Sequence, residues 1–133
     1  MKELSSFELG WLVGVLEGEG CFFLGTNKSK TPYITVSMTD EDSVCQIASY
    51  FERLTGKTYN VREYAPRENS HTNFFVIKIG GDDARLVMRT IVKYMKQRRR
   101  QKIWQCLNGF EPIKIDFTKI MSSIKEKINE NQR

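Results

Sequence analysis

The chain has 133 residues, of which 40% are hydrophobic and 28% charged, and its 21 Lys and Arg outnumber 16 Asp and Glu for a formal net charge of +5. This length fits one domain, residues 1–133, and leaves little room for two. The sequence has neither an apolar run of about 18 residues nor the pattern of a secretory signal, which excludes a membrane span and predicts an intracellular protein, in the cytoplasm of a prokaryote or in an organelle matrix.

The hydrophobic pattern changes its period along the chain and predicts helices and strands in alternation. Ser5 and Glu8 have capping-box spacing at the start of the first helix, and Gly56 stops the second. Strands are predicted where β-favouring residues alternate. The predicted order is a helix through Gly18, strands at Cys21–Lys28 and Pro32–Met38, a helix from Thr39–Asp42 to Gly56, strands at Thr58–Tyr64 and Asn73–Ile79, a long helix from Gly80, and a tail helix at 116–131. The order is αββαββα(α).

A basic run is expected on the long third helix. Six of the ten residues from Lys93 to Lys102 are Lys or Arg, and none is acidic. A polyanion is the simplest partner for such a run, with nucleic acid ranked before an acidic membrane surface. A solvated helix face explains the run about equally well, so other features must decide.

The first helix has two apolar faces, whereas a surface helix needs only one. One face carries Leu9, Leu12, Val13 and Leu16. The second carries Phe7, Trp11, Gly14, Val15 and Gly18. Each glycine costs about 1 kcal/mol of helix propensity relative to alanine, and the close approach of another backbone would offset that cost. The second face therefore predicts an interface, for which the same helix of a second subunit is a candidate partner.

Two carboxylates, Glu17 and Glu19, precede Gly20 at the C-terminal end of this helix. The negative end of the helix dipole disfavours anions there by about 0.3–1 kcal/mol each. Such an arrangement suggests a bound cation, and carboxylates with backbone carbonyls form the oxygen environment that Mg²⁺ prefers. Solvation of one or both carboxylates is the alternative.

The segment Leu12–Gly20, LVGVLEGEG, resembles the nine-residue signature of the LAGLIDADG homing endonucleases. Gly14 and Gly20 fall on glycines of the signature, and a glycine replaces its small alanine. Glu17 and Glu19 stand conservatively in place of its two aspartates. The element order and the basic third helix agree with the family, so the resemblance covers most of the chain. One copy of the signature is present, and one-copy members form homodimers through this helix.

The resemblance implies an α+β fold with a four-stranded, antiparallel, saddle-shaped sheet that binds DNA. It also implies a homodimeric, metal-dependent endonuclease that cuts both strands of a long, near-palindromic site and promotes the mobility of its host intron or intein, with an intron favoured. Glu19 and the Gly18 carbonyl would hold Mg²⁺, or Mn²⁺, beside the scissile phosphates. Arg98 is the expected basic catalytic residue, and Glu17 is a more structural acid of the same centre. The family often has a further polar residue late in its second strand, and that region of this sequence offers Met38, Thr39 or Asp40.

The outward face of the sheet is expected to contact DNA, because β-ribbons enter the major groove. If Ile34 and Val36 point into the core, alternation turns their neighbours outward. The residues expected to face DNA on the strands are Tyr33, Thr35, Ser37, Arg62 and Tyr64. Arg62 is the preferred base-reading residue, since arginine pairs bidentately with guanine. Further polar candidates are Thr26, Asn27, Lys28, Arg67 and Asn73, and phosphate contacts are expected from Lys96, Arg99 and Arg100.

Other functions compete with this interpretation. A restriction-type nuclease would carry a D/E-x-K motif, but no lysine here has Asp or Glu two positions before it. A histidine–metal nuclease would need more than His71, and three cysteines without a C-x-x-C pair argue against zinc or disulfides. An RNA maturase of the same family and a non-catalytic DNA-binding module stay open. We expect no small-molecule cofactor and no membrane partner.

Overall fold

Local signals set the ends of the first two helices. In the computed structural model, which describes residues 3–108 and 117–131, Ser5 and Glu8 form the predicted capping box. The Glu8 amide donates to Ser5 Oγ at 3.1 Å, and the Ser5 amide donates to Glu8 Oε1 at 2.8 Å. At the end of the second helix, Gly56 adopts a φ of 80°, in the left-handed region that favours glycine.

The elements follow the predicted order through the fourth strand. In chain order they are α1 (Ser6–Glu19), β1 (Gly20–Leu24), β2 (Pro32–Met38), α2 (Glu41–Thr55), β3 (Arg62–Tyr64), β4 (Phe74–Gly80), α3 (Gly81–Ile91), a 3₁₀ helix (Val92–Tyr94), α4 (Gln97–Leu107) and α5 (Phe117–Asn131). This is an α+β fold, as the sequence predicts. None of the helices in the described ranges is long and apolar enough to cross a membrane.

The four strands form one antiparallel sheet in the order β1-β2-β4-β3. One face of the sheet is buried under the helices, because apolar residues alternate along the strands. The buried residues of this face include Phe22, Ile34, Val36, Ile77 and Ile79. Helices α1 to α4 contribute the rest of the core, including Leu12, Leu16, Ile47, Phe51, Met88 and Ile103. The side chains that alternate with these buried residues lie on the opposite face of the sheet, which this core does not cover.

The prediction of one long third helix carrying the basic run is wrong. The helix ends at Ile91, a 3₁₀ turn follows, and Met95 adopts an extended conformation with ψ 154° before α4 begins. The side chain of Met95 is buried in the core. Burial of this one apolar side chain at the break outweighs the helical propensity of its neighbours, and the basic residues therefore lie mainly at the start of α4.

Two strands are shorter than the sequence predicts. β1 ends at Leu24 instead of Lys28, and β3 begins at Arg62 instead of Thr58. After Leu24, the Gly25 amide donates to the Thr31 carbonyl at 2.7 Å and closes the turn early. The tail helix is observed as α5, whereas the expected break around Gly109 and Pro112 lies outside the described residues.

Candidate active site and nucleic-acid interface

Glu19 is the last residue of α1, and its side chain is exposed where the helix passes directly into β1. Gly20 is buried at this junction, and its amide donates to the Leu16 carbonyl. A Cβ atom at position 20 would lie 2.6 Å from the Leu16 carbonyl oxygen, far closer than a Cβ atom tolerates. Glycine at 20 therefore allows the sharp transition that fixes the position of Glu19.

Glu19 lines an open cavity of about 340 Å³ beside the end of the sheet. The other lining residues are Ser37, Met38, Thr39, Asp40, Arg67, Ser70, Thr72 and Phe74. The cavity brings Glu19 together with three further predictions: Ser37, Arg67 and the segment 38–40. It offers carboxylates, hydroxyl groups and one guanidinium, which are groups that bind the phosphates and base edges of nucleic acid.

Glu17 does not line this cavity and instead contacts the start of α4. Its Oε2 accepts a hydrogen bond from the Lys96 backbone amide at 3.2 Å, at the N-cap of α4. The first turn of α4 has no acidic residue of its own, so Glu17 supplies negative charge to the positive end of that helix dipole. The position of Glu17 near the end of α1 is thereby explained without a cation, and its catalytic role stays a prediction.

Side chains of the basic run hold the break before α4 in place. The Arg99 guanidinium donates to the Gly20 carbonyl. Arg100 donates to the carbonyls of Met95, at 2.9 Å, and Lys93, at 3.3 Å. Two of the three predicted phosphate contacts thus have guanidinium groups engaged by this chain's own backbone, and their DNA contacts stay predictions. Lys96, the third, is exposed.

Arg98 is exposed and lines a second cavity together with Cys21 of β1. Glu19 lines the first cavity and Arg98 the second, so the structure does not bring these two predicted catalytic residues into one cavity. Lys102 lines the same cavity, and sequence reasoning missed it. One turn of α4 separates Arg98 from Lys102, a spacing that could have indicated both.

All five residues expected to face DNA on the strands lie on the uncovered face of the sheet. Thr35 stands between Cys21 and Lys78 of the neighbouring strands. Tyr33 stands between Phe23 and Gly80, and Val76 stands between Ser37 and Arg62. Tyr64 pairs with Phe74 at the edge.

Sequence reasoning missed Phe23, Phe74 and Lys78 on this face. The sequence contained the signal, because Lys78 stands between Ile77 and Ile79. Both isoleucines are buried, and alternation along the strand then turns Lys78 outward.

The remaining polar candidates lie in loops. Thr26, Asn27 and Lys28 follow the end of β1 and are exposed, against the prediction that β1 extends to Lys28. The Asn27 amide donates to Thr31 Oγ1 at 3.1 Å and so shapes this turn. Asn73 donates to Glu63 Oε1 at 2.8 Å beside the short strand β3. These residues keep polar groups at the two ends of the sheet.

On the second face of α1, Phe7 and the glycines are exposed, and the other predicted interface residues are partly buried. Gly10, Gly14 and Gly18 are exposed, and no atom of the described residues lies within 4 Å of a Cβ added to them. The Phe7 side chain is 81% exposed. We call these four residues the glycine strip. Trp11 and Val15 instead pack partly against this chain's own core, and Trp11 makes an edge-to-face contact with Tyr50 at 5.7 Å. Each of these two residues follows a glycine of the strip by one position, so the turn of the helix directs its side chain away from the strip.

Comparison with known proteins gives a match in structure and none in sequence. No protein-family model matches the chain, and no curated protein sequence does. A matching solved structure is the crystal structure of the homing endonuclease I-CvuI in complex with the I-CreI target in the presence of Mg, with the DNA not cleaved. The TM-score is 0.55 at 17% identity, over 77% of this chain. The match spans 64% of that chain, and at this identity it establishes the shared fold.

Proposed function

We propose that this chain is a site-specific double-strand DNA endonuclease of the LAGLIDADG homing type. The observation that carries the proposal is the position of Glu19, exposed at the end of α1 and beside the uncovered face of the sheet. The same segment carries the signature resemblance, and the fold is similar to that of a homing endonuclease crystallised on DNA. An intron-borne enzyme that promotes the mobility of its host sequence is the corresponding biological role.

The uncovered sheet face is the proposed DNA surface. Lys78, Arg62 and Arg67 give it positive charge, and its polar strand residues alternate at a spacing that can follow a groove. Phosphate contacts would set affinity and salt dependence, whereas side chains such as Arg62 would select bases. The DNA target is expected to be long, because side chains along whole strands would contact it instead of those of a single helix.

The proposed enzyme is a homodimer in which two copies of α1 meet along the glycine strip. This packing would cover Phe7 and let the backbones approach at Gly14 and Gly18, which are open in the single chain. A two-fold axis through this contact would bring two copies of Glu19 together. A two-fold protein reads two similar half-sites, so the target is expected to be near-palindromic.

The donor chemistry of this site fits Mg²⁺, with Mn²⁺ as a substitute. Glu19 contributes a carboxylate, and Gly18 contributes one of the carbonyls that the last turn of a helix leaves without helical partners. Within residues 3–108 and 117–131 no group of three or more acidic, His or Cys side chains could hold a metal. The second subunit and DNA oxygens would therefore have to complete the coordination. A divalent metal there would stabilise charge on the attacking and leaving oxygens of phosphodiester hydrolysis.

The test is cleavage of a randomised double-stranded DNA library with Mg²⁺, beside a Ca²⁺ control, with sequencing of the cut ends. We expect paired cuts in a near-palindromic consensus. Glu19→Gln should abolish cleavage of that consensus while retaining its binding, because the change removes charge and little shape.

The matched control is Glu52→Gln on α2, another exposed glutamate outside the sheet face and the cavity. It should cleave like the wild type. Full cleavage by Glu19→Gln would remove Glu19 from the active site. Tight DNA or RNA binding by a wild-type protein that never cuts would instead favour a binding module or a maturase.

A further inference from the structure

Two aromatic clusters, each accompanied by a cation, stand on the uncovered face of the sheet. The first, which we call the distal platform, consists of Phe23, Tyr33 and Lys78. The ring centroids of Phe23 and Tyr33 are 5.4 Å apart, and the planes are inclined by 29°. Lys78 Nζ lies 4.4 Å from the Tyr33 centroid and 5.9 Å from that of Phe23.

The second cluster, the proximal platform, consists of Tyr64, Phe74 and Arg67. The rings of Tyr64 and Phe74 are nearly parallel, with an interplanar angle of 15° and centroids 5.3 Å apart. The Arg67 guanidinium carbon is 4.5 Å from the Phe74 centroid. Arg67 and Phe74 also line the cavity of Glu19, so this platform adjoins the candidate active site.

Two glycines leave space for the Tyr33 ring of the distal platform on the sheet. A Cβ atom at Gly80 would lie 2.5 Å from Tyr33 Cε1, and one at Gly25 would lie 2.8 Å from Tyr33 Cε2. The Tyr33 ring therefore occupies the space that side chains at these two positions would fill. An aromatic ring laid over a cross-strand glycine is a stable arrangement in sheets, and it spreads the ring across the surface.

Rings in this arrangement suit unpaired bases better than an intact duplex. In a duplex the faces of each base are covered by its neighbours, which leaves base edges and phosphates for recognition. Unpaired bases expose their faces and stack on aromatic side chains, and four-stranded sheets with aromatic residues bind single strands in this way. The adjacent cations can bind the phosphates of the same strand.

We propose that the two platforms form a binding site for a short unpaired stretch of nucleic acid laid along the sheet. Phe74 and Lys78 are four residues apart on β4, so the platforms are separated by about 13 Å at the usual strand rise. A few nucleotides of an unpaired strand can span that distance. The ligand class is a single strand or loop of DNA or RNA, in addition to the duplex of the proposed cleavage reaction.

The proximal platform is open to such a ligand. Tyr64 is 43% exposed on the short strand β3, at the edge of the sheet. If Tyr64 served only to cover Phe74, a leucine at position 64 would do so equally well. Stacking with a base, in contrast, requires a ring, and this difference defines the experiment.

The experiment measures fluorescence anisotropy of labelled oligonucleotides of about ten residues, a length within the usual site size, in buffer without divalent metal. The probes are oligo-dT, oligo-U and an abasic strand with the same number of phosphates. Wild-type protein should bind oligo-dT, oligo-U or both at least about fivefold tighter than the abasic strand, since stacking is worth about 1–3 kcal/mol per base. The ratio of the two base-containing probes identifies DNA or RNA as the preferred source.

Tyr64→Leu should lower this preference by the contribution of one stacked base, about fivefold or more, and leave that of the distal platform. Tyr64→Phe should retain the whole preference. The matched control is Tyr94→Leu, which removes an exposed tyrosine whose ring also lies beside a lysine, Lys93 at 5.1 Å, but outside the sheet. This control should bind like the wild type.

Equal binding of base-containing and abasic strands by the wild type would overturn the proposal. So would an unchanged preference in Tyr64→Leu. Because no metal is present, these results are independent of cleavage, and duplex cleavage without single-strand preference would remove this site alone.

Discussion

Two regions of α1 differ in how much of their environment the chain itself provides. The α1–β1 junction, Glu17–Cys21, is bound from several sides: Arg99 donates to the Gly20 carbonyl, and the Lys96 amide donates to Glu17. The glycine strip on the same helix has open space around each of its glycines. The chain thus fixes the position of Glu19 by internal contacts, whereas none of the described residues covers the backbone of the strip.

The largest expected effect is on the glycine strip. If two copies of α1 meet at the strip as proposed, Gly14→Leu should convert the dimer to a monomer, because the new side chain would separate the two helices. The single chain should lose no stability and gain up to about 1 kcal/mol, since the position is open and leucine is the better helix former. Analytical ultracentrifugation and thermal unfolding measure the two effects.

A matched control for this change is Gln46→Leu, which adds the same side chain to an exposed position of α2. Its sedimentation should equal that of the wild type. An unchanged dimer in Gly14→Leu would place the subunit contact elsewhere.

Gly20→Ala should have the next largest effect. Unlike Gly14→Leu, it should lower the stability of the single chain. The added methyl group would meet the Leu16 carbonyl at 2.6 Å, and backbone on both sides must shift. We expect a loss of about 1–3 kcal/mol in the free energy of unfolding, as for other overpacked sites. Urea denaturation measures it. A midpoint equal to that of the wild type would mean that the junction is looser than its contacts indicate.

Arg99→Gln tests the link between α4 and the junction. Loss of the guanidinium leaves the Gly20 carbonyl without this donor, which should lower the free energy of unfolding by about 1–2 kcal/mol. The exposed neighbour provides the comparison: Arg98→Gln should leave stability unchanged and reduce cleavage. If the two variants unfold at the same denaturant concentration, Arg99 does not hold the junction.

The smallest effect is expected at the N-terminal end of α1, where Arg53 of α2 binds Glu8. The Arg53 guanidinium, together with the Ser5 amide, lowers the pKa of Glu8 from 4.5 to about 2. A carboxyl whose pKa is lowered on folding stabilises the protein above its unfolded pKa and loses that contribution as the pH falls towards the folded value.

The measurement is the difference in melting temperature between wild type and Glu8→Gln as a function of pH. The difference should be largest above a pH of about 4.5 and should vanish towards about 2. A difference that is independent of pH would assign the role of Glu8 to its hydrogen bonds with Ser5 and not to its charge.

Sequence reasoning predicted the strand faces because alternation is a local property. Once Ile34 and Val36 are assigned to the core, the directions of Tyr33, Thr35 and Ser37 follow, and the structure places them accordingly. Arg99 and Arg100 could not be read in this way. Charge patterning predicts that these arginines face a polyanion. Instead, Arg100 binds carbonyls at the break before α4, and Arg99 binds the Gly20 carbonyl at the α1–β1 junction.

The sequence by itself determined the helix ends at Ser5 and Gly56, the alternation of the strands and the presence of the LVGVLEGEG segment, because each depends on residues within a few positions of one another. The tertiary structure alone decided the break before α4 and the contacts of Glu17 and Arg99. Both contacts join residues 79 positions apart. Such pairs are brought together by packing of the whole core, and no local pattern encodes them.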